Sequence, residues 1–396
     1  MYNSYPKKLS ALYQEFFNSE KTGGLVLLAA TILSLILANS SMKDSYQAFL
    51  QYPIAGNTFT HWINDGLMAI FFLLIGLELE REVYDGELST IQNALLPMAG
   101  ALGGMIVPAI LYLMFNYGSA TNSGAGIPMA TDIAFALGIL SLLGNKVPAS
   151  LKIFLTALAV IDDLGAIIII AVFYTKAIAW IYLIIGLCIW AVLFLLNRLK
   201  VNNLIPYIFG GVALWYCMLQ SGVHATIAAV LLAFVIPFGK GGKKSPSYIL
   251  QHFLHKPVAF IILPLFALAN TAITINSNVQ EIFYQPYSIG IMLGLVIGKG
   301  FGIFLFSMTA ISAGICILPA ELKKVHILGA GFLGGIGFTM AIFITMLAFD
   351  DASIINNAKL VILISSFVAG LIGFLILKKF LNVEVKENEE EQKEIK

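Results

Sequence analysis

The sequence predicts an all-α polytopic membrane protein of about twelve transmembrane helices, and three observations carry that expectation. The chain is 59% hydrophobic and only 11% charged, where a soluble globule carries roughly 25% charge. Apolar segments of about 20 residues, the length that crosses a bilayer's hydrocarbon, recur from one end to the other. The loops between them alternate between rich and poor in lysine and arginine, as the positive-inside rule requires of a multi-pass chain.

The segments lie near 23–40, 62–80, 92–115, 126–143, 148–175, 177–197, 204–219, 222–237, 256–275, 287–313, 325–348 and 357–379. An even number puts both termini on one side. Assigning that side to the cytoplasm gathers Lys7, Lys8, Lys21, Arg81, Lys146, Lys152, Arg198, Lys200, Lys240, Lys243, Lys244, Lys256, Lys323, Lys324 and the tail lysines there, leaving Lys43, Lys176 and Lys359 outside. A net charge of +1 offers no basic surface for nucleic acid. Cys188, Cys217 and Cys316 each sit in an apolar segment without the paired spacing of a disulfide or zinc site. The polar start through Lys21 runs into apolar sequence with no small-residue cleavage signal, so the first segment is expected to stay. One transmembrane domain is expected over 1–379 and a disordered, solvated cytoplasmic tail over 380–396.

Taken in order, the external link at 41–61 contains Gly56-Asn57 between apolar and β-prone residues, a signal for a small hairpin that could pair with a second copy. The second segment ends in Glu78, Glu80, Arg81 and Glu82. Glu78, Arg81 and Glu82 share a helix face, expected to line a cytoplasmic funnel, while Glu80 reads as a solvated helix end and Asp65 as an interfacial cap. The fourth segment is interrupted: Pro128 precedes Thr131-Asp132 where a helix should continue, which predicts an unwound stretch lining a cavity.

The fifth segment holds Asp162-Asp163. Each aspartate at a helix centre costs about 3 kcal/mol on insertion scales, so the pair implies partners or a task. Consecutive helical residues point about 100° apart, which directs the two toward different neighbours. Lys299, amid glycines in the tenth segment, is the natural counter-charge for one buried acid. The eleventh segment carries five glycines in nine residues through Gly337. Two interrupted segments, each the middle of a three-segment group, suggest inverted repeats over about 92–175 and 287–379 with discontinuous crossing helices in segments 4 and 11. Asp132 and Lys299 would offset the dipole ends that such breaks leave at mid-membrane depth.

The runs Ala130-Thr131-Asp132-Ile133-Ala134-Phe135-Ala136-Leu137-Gly138, Ile161-Asp162-Asp163-Leu164-Gly165-Ala166, Gly298-Lys299 and Gly334-Gly335-Ile336-Gly337-Phe338-Thr339 closely resemble the bacterial NhaA family of sodium/proton antiporters, over nearly the whole chain. That family is itself a type example of inverted repeats, so the two readings are not independent. The resemblance implies that Asp163 binds the cation, that Asp162 pairs with Lys299, and that Thr131 and Asp132 lie at the crossing. It implies electrogenic export of Na+ or Li+ for more than one proton, serving pH and sodium homeostasis in the bacterial inner membrane, with no cofactor and no soluble substrate besides Na+, Li+ and H+. Membrane lipid and a second copy, met through the hairpin, are the expected partners. A proton and a metal cation competing for one buried carboxylate suffice for antiport.

One departure bears on regulation. The link at 239–256 looks like the family's pH-responsive region but has Gln251 where a glutamate is expected and glycines at Gly241 and Gly242 where charged residues are usual. His252, His255 and His224 remain as candidate pH-responsive groups. An intramembrane aspartic protease would use two of the acids, Asp132 and Asp163, yet gives Lys299 no role. A cation channel would not couple Na+ to protons.

Overall fold

The computed structural model describes residues 6–175, 178–239, 241–275 and 279–394, without the side chains of 6–21, 87, 145, 279 and 382–394. Lys176, Lys240 and Lys396, and the side chains of Lys7, Lys8, Lys21, Lys386 and Lys393, lie outside the described residues. The chain is an all-α polytopic membrane protein. Among the described residues, eight helices are long and apolar enough to cross a membrane: Phe59–Asp85, Ile91–Asn116, Asn122–Ser141, Ala149–Phe173, Trp180–Arg198, Pro246–Asn270, Pro286–Ser312 and Ala352–Leu381. Two bent pairs, Thr22–Ala38 with Lys43–Leu50 at 119° and Lys324–Gly334 with Phe338–Ala348 at 47°, bring the number to ten if each is one span.

The shortfall from twelve falls at the seventh and eighth segments. These are helices of 17 and 9 residues, Ile205–Ser221 and Ala225–Ala233. Gly222, at φ 83°, turns the chain sharply between them. Nine helical residues reach about 14 Å, half the hydrocarbon thickness, so length alone does not make that helix a span.

Burial separates central from peripheral helices. Asn122–Ser141 is mostly buried, whereas Trp180–Arg198 is mostly exposed and turns Ile181, Ile184 and Leu195 outward. At the centre, Ile91–Asn116 packs on Lys299–Ser312. Their backbones touch: a Cβ on Gly103 would collide with the Gly302 carbonyl, and one on Gly302 with the Gly103 carbonyl. Small residues permit this approach where helices have no water to expel between them.

Both middle segments are broken. Asn122–Met129 is a 3-10 helix containing Pro128, residues 130–132 are non-helical, and Ile133–Ser141 is an α-helix. Lys324–Gly334 and Phe338–Ala348 are separated by Gly335, Ile336 and Gly337. The breaks meet, with Asp132 N–H donating to the Ile336 carbonyl at 2.6 Å. Backbone groups freed by one interruption are thereby satisfied by the other.

Several local readings change. Pro53–Ile54 pairs antiparallel with Asn57–Thr58, and the turn residues are Ala55 and Gly56, at φ 49° and 90°, one position before Gly56-Asn57. Positive φ at both positions matches the right-handed twist of a tight hairpin. Glu80 is buried, not solvated, and accepts a hydrogen bond from Ser247 Oγ at 3.0 Å, because its helix turns that face toward Pro246–Pro257. Lys359, placed on the external side near the start of the twelfth segment, is buried in the last helix with Nζ 3.3 Å from Asn270 Oδ1. Asn270 Nδ2 in turn donates to Asn64 Oδ1 at 2.7 Å. The last helix runs Ala352–Glu394, through most of the tail expected to be disordered.

Candidate functional site: a buried carboxylate cluster at two helix breaks

Asp162 and Asp163 lie mid-way along Ala149–Phe173, each 1% exposed. Their neighbours differ as their helical directions require. Asp162 Oδ2 receives Lys299 Nζ at 2.6 Å and Thr131 Oγ1 at 2.7 Å, and Lys299 is wholly buried. A widened, π-helical turn at Gly294–Gly298 immediately precedes Lys299 in its helix. Its ammonium also donates to the Met129 carbonyl, the C-terminal end of the 3-10 half of the fourth segment. Thr131 Oγ1 lies 2.8 Å from the Gly334 carbonyl as well, at the C-terminal end of the other first half. With a single O–H, Thr131 satisfies the carboxylate or that carbonyl, not both fully.

Asp132 has a different task. It caps its own half-helix by accepting from Phe135 N at 3.1 Å, and it accepts from Thr339 N at 3.0 Å and from the Thr339 hydroxyl at the start of the other half-helix. One carboxylate thus faces two helix N-termini, where the peptide dipoles favour negative charge. Phe338 N, at the start of the same half-helix as Thr339, donates to Ser366 Oγ at 3.1 Å. Thr339 and Ser366 were not singled out in the sequence. The signal for Thr339 was its place two residues after Gly337, where a hydroxyl can serve a helix start.

Asp163 is the exception. Both its carboxylate oxygens are shut from solvent without a hydrogen-bond partner, and so is Asp162 Oδ1. A buried polar atom left in this way costs free energy unless something binds it. The cluster sets three buried acids against one buried ammonium, an excess that protons or a monovalent cation neutralise. Among the described residues no group of three or more His, Cys, Asp or Glu side chains is placed to hold a metal ion.

The candidates for the funnel and pH response are partly brought together. Arg81 Nε donates to Gln251 Oε1 at 2.6 Å, and its guanidinium lies 4.6 Å over the Tyr248 ring, on which His252 stacks. Glu78 and Glu82 flank Arg81 on the same helix, and His255 follows one turn after Gln251. Gly241 sits at φ 67°, a conformation that excludes most side chains, in the loop leading to this helix. His224 stands apart, its Nε2 2.8 Å from the Tyr174 carbonyl at the end of the Ala149–Phe173 helix. Gly337 joins the two halves of the eleventh segment.

Residues 14–377 match the family model described as Na+/H+ antiporter 1. The chain is 67% identical over 381 residues to the Na(+)/H(+) antiporter NhaA of Flavobacterium psychrophilum, covering 96% of this chain and 99% of that protein. It is 64% identical to Na(+)/H(+) antiporter NhaA 1 of Flavobacterium johnsoniae, covering 94% and 98%. With Na(+)/H(+) antiporter NhaA 1 of Clostridium beijerinckii it shares 47% identity over 97% and 100%. A match this long, spanning both helix breaks and every buried charge between them, means that the chain belongs to the Na+/H+ antiporter 1 family.

Proposed function

We propose that this secondary transporter, which is not an enzyme, exports Na+ or Li+ in electrogenic exchange for protons, with cation and proton competing at Asp163. The observation that carries the reading is the pair of unpartnered Asp163 oxygens beside a carboxylate already held by Lys299. Carboxylate, hydroxyl and backbone carbonyl oxygens suit a hard monovalent ion. Asp163 and the free Oδ1 of Asp162 provide the first, Thr131 the second, and the carbonyls at the breaks the third. A protonated Asp163 is neutral and holds no cation; an ionised one does. Asp162 and Asp163 together offer two protonation positions against one cation, which gives the exchange its net charge movement.

Around this site we read twelve crossings, with Ile205–Ser221 and Ala225–Ala233 as two short ones. The repeats cover about 92–175 and 287–379, their broken helices crossing at Asp132 and Gly337. Both termini lie in the cytoplasm of a bacterium, and the charged tail 380–396 is solvated there. A homodimer forms through the Pro53–Thr58 hairpin. In everted membrane vesicles, a pH-sensitive dye quenched by an acid interior should dequench when Na+ or Li+ is added, faster when the membrane potential is left unclamped in the favourable direction. No cation-driven proton movement at any pH from 6 to 9 would refute the reading.

A further inference from the structure

A threonine inside a helix ordinarily turns its hydroxyl back to the carbonyl four residues earlier when no water is at hand. Thr31 and Thr345, within helices, do so at 2.8 and 2.7 Å, and Thr175 and Thr271, just past the ends of theirs, do so at 2.8 Å each. Thr156, in the helix that bears Asp162 and Asp163, does not: its Oγ1 is shut from solvent and has no hydrogen-bond partner. Leaving a buried hydroxyl unsatisfied when a carbonyl of its own helix is within reach is a cost without a structural return.

Its position gives the return. Thr156 precedes Asp163 by seven residues, two turns and about 10 Å along one face of the helix. Between them on that face stand Ala159 and Val160, both buried and without a side-chain oxygen. The helix that carries Glu78 packs against this one. The unpartnered oxygens of Thr156 and Asp163 thus form a row on the helix face.

We propose that Thr156 Oγ1 is a transient ligand for the transported Na+ or Li+, a stepping position between Asp163 and the end of the bundle where Ala149–Phe173 begins. The inference rests on the exchange activity proposed above and deepens it. A hydroxyl does not titrate in the working range, so it serves the cation without competing for protons. It therefore lowers the apparent KM for the cation and leaves the proton side of the cycle alone.

The test compares the full-length protein with Thr156→Val, which keeps the shape and removes the oxygen, and Thr156→Ser, which keeps the oxygen. Apparent KM for Na+ and for Li+ and the maximal rate are read in proteoliposomes, and the melting temperature in detergent. Thr156→Val should raise KM about fivefold, the weight of one neutral oxygen contact. Its maximal rate should change little and its melting temperature should hold or rise, while Thr156→Ser should return KM to the parent value. Exchange by the parent with unchanged KM for both cations in Thr156→Val overturns this inference alone. A lowered melting temperature with a lowered rate marks the hydroxyl as structural and also overturns it. Absence of Na+-driven proton movement in the parent overturns the exchange reading and this inference with it.

Discussion

Asp132 and Asp163 are both carboxylates buried in the middle of the same helical core, and they are treated in opposite ways. Asp132 accepts two backbone N–H groups and a hydroxyl, so its charge is spread over the starts of two half-helices. Asp163 accepts nothing. Burying a charge without partners is among the most expensive things a fold can do, and evolution has met that cost at one acid while leaving it standing at the other. The saturated carboxylate fits a part in holding the breaks together, and the unsatisfied one fits the exchange site proposed above.

The comparison can be broken most directly at Asp163. Asp163→Asn should abolish Na+-driven proton movement in vesicles while the melting temperature in detergent holds or rises, since the amide carries no charge to bury and exchanges no proton at working pH. Residual exchange in that variant would remove Asp163 from the site. The next largest effect belongs to the pair beside it. Lys299→Ala leaves Asp162 buried with one hydroxyl for company and should cost about 3–5 kcal/mol of stability. Adding Asp162→Asn in the same chain should recover part of that loss, and a thermal-melting double-mutant cycle showing no recovery would mean that the two charges do not pair.

Thr339→Val sharpens the other side of the contrast. It removes one donor from Asp132 and leaves both backbone donors in place, so stability should fall by about 2 kcal/mol with exchange retained. A loss of exchange at unchanged stability would give Asp132 a part in cation handling. The mildest expected change concerns pH. As pH falls, proton occupancy of Asp163 rises and apparent KM for Na+ rises with it; as pH increases, KM should fall by up to about tenfold per unit and then level off once the site is ionised. Maximal rate at saturating Na+ should vary little from neutral to alkaline pH, because the group that Arg81 Nε bonds on the facing helix is the neutral amide of Gln251. Gln251→Glu, placing a carboxylate against Arg81, should steepen the profile. A parent protein silent at pH 7 even at very high Na+ would show that sharp activation does not need that glutamate.

Charges in apolar runs were legible in the sequence because nothing else explains them. Asp132, Asp162, Asp163 and Lys299 stood out on that ground, and the structure collects all four around two helix breaks announced by Pro128 and the glycines up to Gly337. Groups whose burial depends on a neighbouring helix were not legible. Glu80 sits among other charges and reads as a wet helix end until Ser247 is packed over it, and Lys359 reads as an external helix-end lysine until Asn270 and Asn64 close around it. Hydroxyls are quieter still. Thr156 and Thr339 are cheap to bury and common in membrane helices, so only their bonding or lack of it sets them apart. Hydropathy fixes how many apolar stretches exist and not how far each rises. Ala225–Ala233 is apolar throughout yet stops after nine residues.

The shared cap at Asp132 has a mechanical consequence. The two helix starts it joins come from parts of the chain some two hundred residues apart, and drawing them apart would expose two N-termini and an anion to hydrocarbon together. The joined breaks therefore behave as one solid body, stiff at its centre. In a transporter that alternates which face its cargo sees, such a body does not flex open at the crossing.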